Sequence, residues 1–171
     1  MIREWNRNPN HLTTHMIEFK EACTQKDYLV ATVLFNEYVE QLGIDLSFQN
    51  FNEELASLSI MYAKPHGVLI IATEEKEPIG CFGIRKLEDS IGELKRMYIR
   101  EQARGFGKGK QLLQNAIETA AQLGYSKMRL DTLATMGSAI HLYKQAGFYE
   151  IESYRFNPMN GAKYFEIVLN K

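Results

Sequence analysis

Arg104-Gly105-Phe106-Gly107-Lys108-Gly109 lies between a strand-like segment, Glu93 to Ile99, and a helix-like one, Lys108 to Leu123. Three glycines let the backbone turn tightly with its N–H groups exposed. The helix that follows leaves its first amides unpaired and turns a positive dipole end to the same spot. Arg104, Lys108 and Lys110 add positive charge where a helix start ordinarily favours negative charge. An external anion resolves that conflict, so the segment reads as a phosphate cradle.

Working outward, residues 1 to 14 are polar and asparagine-rich and are expected to form a loose arm, with one domain over 15–171. Met16 to Ala22 alternates apolar and polar residues like a half-buried strand. Leu29, Val30, Val33, Leu34, Tyr38 and Leu42 recur at helical spacing before Gly43. A second helix is expected from about Gln49 to Met61. Gly67–Thr73, Pro78–Leu87 and Gly92–Ile99 form an antiparallel meander by pattern. After the glycine loop and its helix, Ser126–Thr132 returns beside the preceding strand as a right-handed βαβ crossover. A helix over Met136–Gln145 and strands near Phe148–Ser153 and Ala162–Leu169 complete a mixed sheet with helices on both faces.

Composition narrows the function. The 171 residues, 45% hydrophobic and 24% charged, suit one globular domain. A net charge of −1 gives no electrostatic reason to expect nucleic acid. No stretch approaches the ~20 apolar residues that span a bilayer, and the start lacks a signal-peptide core, so a membrane partner is not expected and the location is expected to be cytoplasmic. Cys23 and Cys81 lack metal or redox spacing and are expected to be reduced and half-buried, although a bridge between them stays open. His11 and His15 have helical metal-pair spacing, but no glutamate follows the first, and no metal site is expected.

Three phosphate-binding motifs compete for the loop. A nucleoside-triphosphate loop needs Gly-Lys-Ser/Thr, and Gln111 follows Lys110. A dinucleotide fold gains from Asp131, placed about 20 residues on where a ribose-binding acid would sit. Its G-x-G-x-x-G pattern fails, however, because the sixth position is Lys110. Arg104, Gly107 and Gly109 instead form Arg-x-x-Gly-x-Gly, which resembles the acyl-CoA signature of the GNAT superfamily of N-acetyltransferases. Glu93-Leu94-Lys95-Arg96-Met97-Tyr98-Ile99 resembles the strand before that signature, and Ala139 to Phe148 the downstream helix with Leu-Tyr that ends in Gly-Phe. The good match covers residues 92 to 151.

The resemblance implies an α/β fold with a mostly antiparallel twisted sheet and a splayed strand pair that binds coenzyme A. It implies acetyl-CoA as co-substrate and direct attack by an amine, small or on a protein, without a protein nucleophile. Backbone groups from Arg104 through Gly109 (Gly105, Phe106, Gly107 and Lys108 between them) would hold the pyrophosphate, with charge from Arg104 and Lys108. Met97, Tyr98 and Ile99 would pair with the pantetheine arm, and an amide of Met97 or Tyr98 would stabilise the developing oxyanion. Tyr143 matches the tyrosine that protonates the leaving thiolate. Glu93 is the strand carboxylate expected to act as general base, ahead of His141. The family often has an asparagine where this chain has Met136, with Ser138 a candidate substitute. Glu37, Glu40, Asp45, Glu53 and Glu54 make the early helices acidic and able to attract a cationic amine; Tyr154, Arg155 and Asn157 fall where members often close the acceptor pocket. A non-catalytic acyl-CoA-binding module is the alternative to an enzyme.

Overall fold

A computed structural model describes residues 16–169; the expected arm and the His11/His15 pair lie outside the described residues. The chain forms β1 (Glu18–Glu21), α1 (Gln25–Leu42), α2 (Phe51–Ala56), α3 (Leu58–Met61), β2 (Val68–Glu74), β3 (Glu77–Glu88) and β4 (Ile91–Ile99). It continues with α4 (Lys108–Gln122), β5 (Lys127–Leu133), α5 (Gly137–Gln145), β6 (Tyr149–Ile151) and β7 (Ala162–Val168). The strands make one seven-stranded sheet in the order β1-β2-β3-β4-β5-β7-β6. The β4–β5 pair is parallel and joined through α4, as the crossover reading requires. The other pairs are antiparallel.

Alternation along the strands divides the core between two faces. Leu69, Ile71 and Cys81 meet Leu34, Phe35, Leu58 and Tyr62 from the α1–α3 side. Ile70, Phe82, Ile84, Met128 and Phe165 meet Leu112, Leu113 and Ala116 of α4 on the other. A capping box starts α1: the Thr24 hydroxyl accepts from the Asp27 amide while the Asp27 carboxylate accepts from the Thr24 amide. Gly43, at φ +63°, ends it. The single helix expected over Gln49–Met61 is broken at Ser57, whose hydroxyl donates to the Glu53 carbonyl and competes with the helical ladder. Cys23 is exposed and Cys81 buried, and neither is bridged.

Two irregularities open the sheet. β4 pairs with β5 only through Ile91, Gly92 and Glu93, and beyond that the strands part. On its other edge β4 carries a bulge: Cys81 pairs with Tyr98 and Gly83 with Lys95, so two steps of β3 face three of β4. Arg96 lies inside that bulge at φ +54°. Its guanidinium is buried and held by Glu54, with Nη2–Oε2 2.6 Å and Nε–Oε2 3.1 Å. Burial alone would raise the Glu54 carboxyl; Arg96 beside it outweighs this and holds it low. Tyr62 donates its hydroxyl to the same carboxylate.

Tyr62 is therefore fixed at both ends, and Gly83 leaves room for its ring: a Cβ at residue 83 would lie 2.3 Å from Tyr62 Cε1. Gly83→Ala is expected to destabilise the fold by about 1–3 kcal/mol. Urea titration should show a lower midpoint at unchanged slope.

Candidate active site

The parting of β4 from β5 creates a cleft with two adjoining chambers. The larger, about 520 Å³, is lined by Met97, Tyr98 and Ile99 of β4 on one side and by Leu133, Met136, Ser138 and Leu142 on the other. Arg104, Gly105 and Gly109 line it too. The smaller, about 50 Å³, is walled by Lys95, Arg96, Gln49, Asp131 and Asn157. Tyr38, Leu42, Leu133 and Met136 line both, so the chambers meet at a common wall.

The glycine loop closes the larger chamber with a run of left-handed backbone: φ is +100° at Gly105, +50° at Phe106 and +74° at Gly107. The Lys108 amide donates to the Gly105 carbonyl and that of Gln111 to Gly107. Among the described residues the amides of Gly105, Phe106, Gly107, Gly109 and Lys110 find no acceptor, which is the donor array an anion requires. Arg104 donates to the Ile99 carbonyl (3.2 Å) and to Gln41 of α1 (2.6 Å), so it faces the chamber with its position set. Lys108 corrects the expectation of charge for the phosphates. Its ammonium is buried and paired with Glu74 of β2 at 2.8 Å, leaving only its backbone in the loop.

Glu93 is not placed as a general base. It is wholly buried and lines neither chamber. Arg85 donates to one oxygen (2.9 Å), and Arg155 (2.8 Å) and Tyr154 (3.1 Å) to the other. No face of this carboxylate is left for a substrate ammonium. His141 is exposed on α5, away from the cleft. Tyr143 stands one layer behind the chambers, 8% exposed, with its ring 5.8 Å from Phe148 and 6.2 Å from Phe165. Burial raises its phenol well above the ordinary value, with Tyr38 and Asp131 adding to the effect. Its hydroxyl makes no hydrogen bond among the described residues.

Five groups of the cleft were missed in the sequence. Tyr38 belongs to the apolar stripe of α1 and reads there as core, yet it lines both chambers. Burial pushes its phenol up to about 12. Asp131, weighed only as a ribose ligand, is held by Arg155 and by Asn157 Nδ2 (3.1 Å) at the wall of the small chamber. Asn157 thus stands in the wall of the small chamber, with Arg155 beside it on Asp131. Of the acidic residues on α1 and α2, Glu37 pairs with Arg100 and Glu54 with Arg96, so these two carboxylates are neutralised within the fold. Lys95, Arg96 and Gln49 complete the set. Lys95 Nζ (3.1 Å) and Arg96 Nη1 (3.0 Å) both donate to Gln49 Oε1. In a regular strand these neighbours would point to opposite faces; the bulge brings them to one oxygen.

Residues 31–148 match the model of the acetyltransferase (GNAT) family. The chain belongs to the GNAT family of N-acetyltransferases. An N-acetyltransferase of Schizosaccharomyces pombe is 37% identical over 141 residues, covering 81% of this chain and 86% of that protein. One of Dictyostelium discoideum is 30% identical and covers 84% and 94%. A GNAT-family acetyltransferase of Staphylococcus aureus shares the fold at TM-score 0.75 and 20% identity, covering 91% and 100% of the two chains. The yncA protein of Salmonella typhimurium, solved with its cofactor acetyl-CoA, does so at 0.71 and 16%, covering 91% and 95%. This GNAT member is thus an acyl-CoA-dependent N-acetyltransferase, and its cleft has unpaired amides at one end, a strand edge without a β5 partner along one wall, and a second chamber beside it.

Within that cleft Lys95 is the strained charge, only 4% exposed. Burial pulls its ammonium down to about 8; Glu93 opposes this, Arg96 and Arg155 add to it, and Asp131 opposes again. The unfolded chain keeps the proton to about 10.5, whereas the folded one releases it near 8. Between those values the unfolded state binds more protons, so stability rises with pH. The rise should be on the order of 3 kcal/mol. Lys95→Met should abolish that slope and melt at higher temperature than wild type at pH 7, read by thermal denaturation from pH 7 to 10.

Proposed function

We propose that this acetyltransferase acetylates a primary amine, on a small molecule or exposed on a protein, in the cytoplasm and without a nucleic-acid partner. The observation that carries this reading is the shared wall of the two chambers: one suits an extended thioester arm, and the other opens where that arm's reactive end would lie. Two unbridged cysteines favour a reducing compartment.

Acetyl-CoA, when bound, supplies a thioester carbonyl open to attack by a neutral amine. The amides of Gly105 to Lys110 hold its pyrophosphate, with Arg104 adding charge. The backbone of Met97, Tyr98 and Ile99, free on the side from which β5 has parted, serves as the pantetheine's strand partner. An amide of Met97 or Tyr98 stabilises negative charge on the carbonyl oxygen. Ser138 lines the same chamber, in keeping with a polar contact that Met136 cannot make. With Glu93 withdrawn into its arginine pairs, Lys95, Arg96 and Arg155 disfavour an ammonium nearby, so the amine enters neutral and the proton it sheds on acylation passes to solvent.

Tyr143 is the proton donor to the leaving thiolate. Its raised phenol keeps its proton at neutral pH, and no acceptor among the described residues takes it. A second reading gives that role to Tyr38, because Tyr38 and not Tyr143 lines both chambers.

The two are separated by thiol release from acetyl-CoA across an amine library. Loss of the true donor should lower kcat by about 10²–10⁴ and leave acetyl-CoA affinity unchanged. Tyr143→Phe is expected to show this loss and Tyr38→Phe a smaller one. The reverse order would transfer the role to Tyr38. Binding of acetyl-CoA without turnover of any amine would favour an acyl-CoA-binding module.

A further inference from the structure

Resting on the acceptor reading above, we infer that the amine substrate carries a carboxylate, which is received between Lys95 and Arg96 in the place now taken by the Gln49 side-chain oxygen. The charges of the small chamber do not balance. Of the charged side chains that line it, Lys95 and Arg96 are cations and Asp131 is the carboxylate; behind them Arg85 and Arg155 pair with Glu93, and Glu54 with Arg96. Every carboxylate is paired with an arginine: Glu54 with Arg96, Glu93 with Arg85 and Arg155, and Asp131 with Arg155. Lys95 is the cation left over. It is buried, it forms no ion pair among the described residues, and its one hydrogen bond goes to a neutral amide oxygen.

That oxygen marks the site. Gln49 Oε1 accepts from Lys95 at 3.1 Å and from Arg96 at 3.0 Å, so two buried cations converge on a neutral atom where their fields call for an anion. Gln49 ends a short 3-10 turn, Ser47–Gln49, and so belongs to a different element from the strand that carries the two cations. Size points the same way. A water needs roughly 10–15 Å³ of such space, so about 50 Å³ admits a group of a few atoms, a carboxylate rather than a phosphorylated sugar. A carboxylate held there leaves its amine to reach toward Tyr38 and Met136, the wall shared with the thioester chamber. The substrate class is therefore an amino carboxylate with few atoms between its two functional groups.

The test pairs free amino acids, α and ω, with their own carboxamides in the thiol-release assay, with acetyl-CoA binding followed by calorimetry. At least one amino acid should surpass its carboxamide tenfold or more in kcat/KM. Lys95→Met should erase that preference through KM while acetyl-CoA affinity stays at the wild-type value. Gln49→Glu places a built-in carboxylate between the two cations without removing either, and should raise KM for amino acids tenfold or more with little change for carboxamides. Equal turnover of both series, a preference that survives Lys95→Met, or a Gln49→Glu variant that treats amino acids as wild type does would overturn the carboxylate site alone. Acetyl-CoA bound without release of thiol for any amine would overturn the acceptor reading and this inference with it.

Discussion

One residue of backbone governs the rest of the molecule: the extra step of β4 at Arg96. A left-handed conformation at a bulky side chain costs about 1–3 kcal/mol and persists only where its surroundings over-determine it. Here they do. Glu54 grips the guanidinium through Nε and Nη2, Gln49 accepts from Nη1, and the Phe51 ring lies 5.2 Å from its centre. The buried pair need not add net stability, since taking both charges out of water costs as much as their attraction returns. What it does is fix one geometry. Tyr62 holds the far side of Glu54, and Gly83 leaves space for the Tyr62 ring, so a sheet defect is locked by a helix lying over it.

Once β4 has bulged, the cleft follows. Added twist separates β4 from β5 after Glu93, and the freed strand edge becomes a wall for a linear ligand. The same extra residue turns Lys95 and Arg96 toward one oxygen, which makes the second chamber cationic. The open strand edge and the cationic chamber thus share a single structural cause. At the other end of the cleft the grip is set mainly by backbone shape. Lys108 is committed to Glu74, which ties α4 to β2, and Arg104 is the loop side chain that both carries charge and lines the chamber. Three successive left-handed residues then orient the amides that a pyrophosphate would need.

Much of this was legible because much of it is local. The glycine loop, its strand and its helix lie within about thirty residues; Lys110 and Gln111 set the loop apart from two nucleotide motifs, and its resemblance to the GNAT signature pointed to acyl-CoA. The meander, the crossover and α1 followed from alternation, helical spacing and a capping pair. What escaped was long-range. Glu-Leu-Lys-Arg-Met-Tyr-Ile reads as an unbroken strand, and only its register against β3 reveals the extra residue. Glu93 reads as an available carboxylate until Arg155, 62 positions later, closes over it. Lys108 reads as a phosphate ligand until Glu74 of β2 claims it. Both charged side chains find their partners on other elements, which the sequence around them does not reveal.

That pattern also explains why the small chamber, and not the glycine loop, holds the unbalanced charge. A cradle built of backbone amides can be specified in a few residues and needs no counter-ion in the fold. The acceptor chamber draws on the 3-10 turn, α2, β4, β5 and the loop before β7, and its arginines are matched to carboxylates across those elements. A methionine in place of Lys95 would fill the same volume at no cost in desolvation. An ammonium in that position, facing only a glutamine oxygen, is therefore poorly explained by folding. It is well explained by a ligand, because a carboxylate entering between Lys95 and Arg96 would turn an expense of the free protein into affinity for its substrate.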